Sequence, residues 1–448
     1  MDVLAQALAM LERYPLCDNC LGRQFALLGY GMTNSQRGGA IKTALVIQSA
    51  AVASEKERGG VKTLKVLSAN GFSQLAKDTL QHLRKRPPKT EQESCFLCNG
   101  EFQRIKSLTQ KTLDSVYPHE FSTFLIGIEL PVSVAEREDE FKAAFNVGYS
   151  ESIKHEFART LGKSVESETG KTVEFGKPDM MIIINPFRES VKLQVNPLFI
   201  AGRYKKLVRD IPQSKWFCSS CRGKGCQKCG GTGLMYPESV EAFVSKPVLD
   251  AAEGSESSFH ASGREDIDAR MLGTGRPFVV EISKPRKRSL DLNALEEAIN
   301  TGAKDKVQVS KLRFTNRDLV RKLKKSENAQ KEYRALVAFE KDISEDDMRQ
   351  IEEKLNGFTV RQQTPLRVVH RRADLTRERY IYKLKVKKIA PKEALMEVRC
   401  QGGLYIKELV SGDEGRTVPS VAGLLNNSAK VTKLDVLKVI MDDEQGER

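Results

Sequence analysis

Eight of the nine cysteines in this chain fall in Cys-x-x-Cys pairs, and such pairs bring thiolates together as metal ligands. Cys218-Ser-Ser-Cys221 and Cys226-Gln-Lys-Cys229 are only four residues apart. Gly223, Gly225, Gly230, Gly231 and Gly233 surround them and permit the left-handed turns that aim backbone amides at sulfur. This predicts a zinc knuckle over residues 216–234. Cys17-Asp-Asn-Cys20 and Cys95-Phe-Leu-Cys98 form a second set of four, split by a long insert that is rich in small and apolar residues from Ala40 to Ala53. It would tie an N-terminal helix to a later segment. Neither set contains a histidine or carboxylate ligand or an open position, so one or two structural zinc ions are expected rather than a catalytic one. A redox pair would need a thioredoxin-like strand and helix, which the flanks lack. Cys400 stands alone and reads as a small core residue.

These side chains need domains to hold them, and 448 residues suffice for two or three. With 40% hydrophobic and 29% charged residues the chain is an ordinary globular one, and no apolar run reaches the roughly 18 residues that span a bilayer. A cytoplasmic protein without membrane attachment is expected. The net charge of +14 fits a polyanionic partner or a solvated basic surface. The basic stretch Arg361–Lys388 contains two acids, Asp374 and Glu378, and carries Tyr380 and Tyr382 among its cations. Cations follow phosphates and aromatics stack on bases, as RNA binding requires. Alternatively, Arg379–Lys388 is a two-sided strand with Tyr380, Tyr382, Leu384 and Val386 inward and Lys383, Lys385 and Lys387 outward. The lysines face solvent in both readings.

Leu4, Leu8 and Leu11 predict an amphipathic N-terminal helix, and Ile153, Phe157 and Leu161 another that stops at Gly162. Met180–Ile184 reads as a strand, as do Val191, Leu193 and Val195 before Pro197. With the basic, aromatic stretch Phe199–Lys206, this layout resembles a THUMP-type RNA-binding domain over about residues 60–208; any small α+β domain with a basic loop is the alternative. Ser, Gly and Glu enrich Glu253–Ser258, a loop or linker signal. The expected division is an accessory domain over 1–238 and a second domain over 239–448.

The second domain opens with Ala261-Ser-Gly-Arg-Glu-Asp-Ile-Asp-Ala-Arg-Met-Leu-Gly-Thr-Gly-Arg-Pro-Phe278. Its Gly-Arg-x-Asp resembles the catalytic loop of pseudouridine synthases. The extended form, with Asp268, Arg270 and Gly-x-Gly-Arg-Pro-Phe, resembles the archaeal and eukaryotic family that modifies the TΨC loop of tRNA. Lys331-Glu-Tyr333-Arg-Ala, Gln363–Asp374, Gly403-Leu-Tyr405-Ile406-Lys407-Glu-Leu and Gly412–Thr417 with Pro419-Ser420 agree with that family in order. The resemblance implies an α+β chain with a zinc-stabilised RNA-binding part. It implies a catalytic domain of mixed or antiparallel sheet with flanking helices, and a reaction at positions 54 and/or 55 of tRNA.

Isomerising uridine means breaking its glycosidic bond, turning the base and rejoining it through carbon, with a carboxylate as nucleophile or base. The motif match assigns this to Asp266, with Asp268 as its rival. Lys407 would pair with Asp266 and keep it ionised. Tyr333 would stack under the base, Tyr405 and Ile406 would line the same pocket, and Arg264 would fill the space of a flipped uridine or hold the loop. Isomerisation needs no organic cofactor, and no phosphate-binding glycine motif is present. His82, His119, His155, His260 and His370 are scattered. Transfer RNA is the expected partner, with no obligatory protein partner. Two other classes compete: a different tRNA-modifying enzyme, which would need a cofactor or ATP loop, and a non-catalytic zinc-stabilised RNA-binding protein, which would tolerate loss of Asp266.

Overall fold

The computed structural model describes residues 2–55, 58–88, 94–325 and 329–440. Contacts divide the chain into two units, Met1–Asn196 and Pro197–Arg448. In the first, helix Val3–Arg13 starts where the Asp2 carboxylate accepts the amides of Leu4 and Ala5. It buries Ala7, Met10 and Leu11, with Leu4 and Leu8 packed at the rim. The stretch of small residues after it is helix Asn34–Ser54, begun by a Thr33–Gln36 capping box. Helix Asp18–Gly22 crosses it at touching distance: a Cβ on Gly38 would lie 2.0 Å from the Asp18 carbonyl oxygen, and one on Gly22 1.9 Å from that of Asn34.

A four-stranded sheet follows, ordered Thr172–Val173, Thr123–Ile128, Met180–Asn185 and Ser190–Val195, the last pair antiparallel. Both expected strands are present. Helix Ile153–Thr169 buries Ile153, Phe157 and Leu161 as expected, but it does not stop at Gly162. That glycine is buried in the helix interior against Ile126, the apolar face continues through Val165, and the left-handed stop is Gly170 at φ 66°.

The second unit is built on a ten-stranded sheet. Its order is Thr417–Val418, Phe358–Gln363, Thr376–Ala390, Glu393–Cys400, Gln330–Phe339, Ala429–Ile440, Ala269–Ser283, Leu198–Lys206 and Val307–Thr315, with Glu256–Ala261 also paired to Ala269–Ser283. Neighbours are antiparallel except Ala429–Ile440 and Ala269–Ser283. The chain is thus α+β, with a mixed sheet and flanking helices in the second unit. Strand Leu198–Lys206 forms ladders on both its sides, which corrects the division expected at 238 and the assignment of Phe199–Lys206 to the RNA-binding part. The Cys218–Cys229 knuckle belongs to the second unit for the same reason. Glu256 opens a strand rather than continuing a linker.

Strand Thr376–Ala390 corrects another expectation. Tyr380 and Tyr382 are 38% and 41% exposed, with rings 5.0 Å apart, while Ile381 and Leu384 are buried. A bulge between Ile381 and Lys383 reverses the inward parity, so no single alternation describes the strand. Lys383, Lys385 and Lys387 are exposed as expected.

Candidate active site

The loop Gly263–Asp268 leads into strand Ala269–Ser283 and is braced from beneath. The Glu265 side chain is inaccessible to solvent and accepts hydrogen bonds from the Tyr204 hydroxyl (2.9 Å) and Arg276 Nε (2.9 Å). Arg276 also donates to the Ser262 carbonyl at 2.7 Å. Buried Lys206 donates to the carbonyls of Ile211, Asp266 and Ile267 at 2.9, 3.1 and 3.0 Å. Burial pushes its pKa down, against the pull of Glu265 and Asp268. Gly263, at φ 72°, lies so close to Lys331 that a Cβ would come within 3.0 Å of its Nζ. The backbone on either side of Asp266 is therefore fixed, and its carboxylate projects from a rigid support. Sequence reasoning missed this brace, because Tyr204 and Lys206 come from a segment read as part of another domain.

Asp266 Oδ2 lies 3.2 Å from Arg367 Nη1 and 3.5 Å from Lys407 Nζ. Lys407 thus faces Asp266 as expected, yet its hydrogen bonds go to Asp268, at 2.8 and 2.7 Å. Burial disfavours the Asp268 charge, but the Lys407 ammonium outweighs it and holds that carboxyl below its ordinary value. The nearer cation to Asp266 is Arg367, whose Nε is pinned at 2.7 Å by buried Glu408. Arg367 stands inside the Gln363–Asp374 motif, and only the fold separates it from the other arginines of that run.

These groups open onto a cavity of about 630 Å³. Arg264, Asp266, Tyr333, Tyr405, Ile406 and Lys407 all line it; Asp268 sits at its edge, joined through Lys407. Lys331, Arg367, Arg372, Arg377 and Arg379 complete a basic rim that the sequence did not single out. Lys331 was findable, since strand alternation puts it on the face of Tyr333. Burial, then the neighbouring Cys400 and the Asp266 and Glu265 charges, raise the Tyr333 pKa well above that of a free tyrosine. Tyr405 is held through its backbone by Gln362 (2.9 Å to both N and O) and its hydroxyl accepts from Arg372 at 3.1 Å. Arg264 extends over the Trp216 ring, 5.9 Å from its centre.

In each cysteine set the four sulfurs lie within 4.8 Å of one another. Separations of 3.6 Å for Cys17–Cys98 and 3.8 Å for Cys218–Cys226 and Cys221–Cys229 match the edge of about 3.8 Å of a tetrahedron with ~2.3 Å metal–sulfur bonds. Both sets therefore fit a tetrahedral ion. In the first, Cys17 caps helix Asp18–Gly22, and Lys42 fixes that turn through Asp18 (2.7 Å) and the Leu16 carbonyl (2.8 Å). In the second, amides of Cys226 and Gly233, each 3.2 Å from Cys229 sulfur, outweigh burial and lower that thiol to about 6. Cys400 is buried, as expected for a core residue.

Comparison with known proteins agrees with this architecture. The family described as "Pus10, C-terminal" matches residues 199–440, and "Pus10 THUMP domain, archaeal" matches residues 108–185. The THUMP match is narrower than the expected 60–208. The chain is 40% identical over 440 residues to "tRNA pseudouridine synthase Pus10" of Methanothrix thermoacetophila, covering 98% of this chain and 94% of that one. With the protein of that name from Methanocaldococcus jannaschii it is 43% identical over 436 residues, covering 96% and 93%. A chain in the crystal structure of a Cbf5-Nop10-Gar1 complex is 17% identical, with a TM-score of 0.31 over 54% of this chain and 50% of that one. A THUMP domain in the first unit, a Pus10 C-terminal domain spanning the second, and relatives alike over almost their whole length establish that this chain belongs to the Pus10 family of pseudouridine synthases.

Proposed function

We propose that this protein isomerises uridine 54, uridine 55 or both in the TΨC loop of tRNA to pseudouridine, with Asp266 as its catalytic carboxylate. The observation that carries the reading is the position of Asp266. It projects from a braced loop into the cavity between two cations, whereas the neighbouring Glu265 is fully engaged by Tyr204 and Arg276. The reaction breaks the C1′–N1 bond, forms C1′–C5, and moves the C5 proton off as N1 gains one. Nothing enters or leaves overall, so no organic cofactor is required.

Arg367 and Lys407 set two positive charges beside the Asp266 carboxylate, which serves as either a nucleophile at the base or sugar or a base opening an elimination. The raised pKa of Tyr333 keeps its hydroxyl protonated at neutral pH, so it packs against the base and donates a hydrogen bond rather than acting as a resident base. Buried Ile406 supplies an apolar wall that limits water around a detached base. Of the rim arginines, Arg372, Arg377 and Arg379 meet the phosphates that flank the target nucleotide. Zinc in both cysteine sets would hold the backbone around them, a structural role. All members of the catalytic set lie in the second unit, so tRNA is the one partner the reaction calls for, in the cytoplasm where tRNA is available.

The test is to incubate the full chain with an unmodified tRNA transcript and map pseudouridine at single-nucleotide resolution. Product is expected at 54 and/or 55, and a transcript with cytidine at both positions should stay unmodified. Product only at other positions would overturn the assignment of substrate; no product on any tRNA would overturn the reaction.

A further inference from the structure

The Cys218–Cys229 knuckle does not stand apart from the catalytic loop. Ahead of it, the Gln213 side-chain amide donates to the Tyr204 hydroxyl at 2.6 Å and to the Gly263 carbonyl at 3.0 Å. Trp216 supports the Arg264 guanidinium, and Tyr236, beyond the far limb, packs edge-on against Trp216 at 5.5 Å. The two limbs are joined by the Met235 amide to the Trp216 carbonyl (2.8 Å) and by a Phe217–Leu234 bridge. Since Arg264 lines the cavity, the aromatic limb lies beside its mouth.

The face turned to solvent is apolar and cationic together. Phe217 is 63% and Met235 45% exposed. No acidic residue occurs from Ile211 to Pro237, whereas Lys215, Arg222, Lys224 and Lys228 are all present and exposed. One exposed ring and the half-buried Trp216, in a segment with four exposed cations and no acid of its own, match single-stranded RNA, whose bases stack and whose phosphates need neutralising; the one acid that reaches the limb, Glu241, is engaged by the Lys215 amide at 3.0 Å.

We propose that this knuckle is an RNA-stacking platform. In the free protein Trp216 holds Arg264; when substrate RNA arrives, an unpaired base takes the Trp216 ring and Arg264 turns toward the cavity. Magnitudes favour the exchange, since a cation over an exposed ring is worth about fivefold in an equilibrium and a stacked base about tenfold or more. The inference rests on the RNA-modifying reading above.

The chain has a single tryptophan, so its emission reports on this ring alone. On titration of an unmodified tRNA transcript into the full chain, emission should be quenched with the midpoint found by anisotropy of labelled tRNA. Arg264→Ala should shift the emission of the free protein and leave the quench in place. Trp216→Ala should weaken tRNA binding about tenfold with unchanged metal content and thermal unfolding, and Trp216→Phe should recover most of the loss. Replacing Lys224 and Lys228 with serine should flatten the dependence of log affinity on log salt by about 1.4. Emission unmoved at saturating tRNA, or full affinity in Trp216→Ala, would overturn the proposal and leave the exposed face to a protein partner. Failure of the synthase reading would look different: the quench would occur with no pseudouridine formed.

Discussion

Two cations approach one oxygen of Asp266, and they are not equivalent. The Arg367 guanidinium spans Glu408 and Asp266 at once, whereas Lys407 divides its contacts between Asp266 and Asp268. A lysine at 367 would keep the charge but cannot hold both carboxylates with a planar fork. Arg367→Lys is therefore expected to lower kcat about 100-fold with little change in KM for tRNA, read by single-turnover kinetics. Asp268 differs in its titration. Its pKa lies below the ordinary value, so any stability it contributes is fully present above about pH 4 and is lost as the pH falls through the lowered value. The pH–rate profile should accordingly be the same for the wild type and Asp268→Asn between about pH 6 and 8; a limb that disappears in the variant would contradict this. The motifs that carry the family resemblance named Arg264, Asp266, Tyr333, Tyr405, Ile406 and Lys407, and the fold brings all six onto one cavity. The motifs did not suffice for Arg367, because an arginine in a basic run looks like its neighbours until the fold selects one. Glu265 was invisible for the opposite reason: its role is to be buried, in a loop that reads as charged and exposed.

The strand that follows the Gly263–Asp268 loop is held in register by a charge cluster. Arg270 stands opposite Asp435 in a parallel pairing of its sheet and donates to both carboxylate oxygens, at 2.9 and 2.8 Å, while Arg209 adds a third bond at 2.7 Å. Burial works against the Asp435 charge, but the two arginines hold its pKa below the ordinary value. The contribution is thus complete above about pH 4 and is lost as pH falls through the lowered value. Asp435→Asn should lower stability by about 2 kcal/mol at neutral pH, measured by urea unfolding, and the difference from wild type should shrink on acidification toward pH 3. A variant equal to wild type at pH 7 would contradict this role. Elements with one buried face were legible here: the N-terminal helix and the strands Met180–Asn185 and Ser190–Val195. Leu198–Lys206 was misassigned because its partners are distant in sequence, and a strand's sheet is set by tertiary pairing rather than by its neighbours along the chain. The parity of Thr376–Ala390 failed for a local reason, a bulge that no period-two pattern can carry.

Across the whole chain, each unit carries one set of four cysteines with tetrahedral sulfur spacing. Two zinc ions per chain are expected by elemental analysis, falling to one in Cys95→Ser and in Cys226→Ser; a wild-type content below one per chain would contradict both sites. Loss of the first ion should unfold elements of the first unit, since its ligands join segments far apart in sequence. The grouping of the cysteines into two sets of four was legible from their spacing alone, whereas their division between the units was not, because the knuckle and the strand before it were read as part of the first domain. The proposed activity rests on one carboxylate, and the most direct measurement is pseudouridine formation on an unmodified tRNA transcript by the wild type, Asp266→Ala and Asp268→Ala, with tRNA binding measured alongside. The wild type and Asp268→Ala should form product, while Asp266→Ala should bind tRNA and form none. Product from Asp266→Ala, or its absence from Asp268→Ala alone, would contradict the assignment.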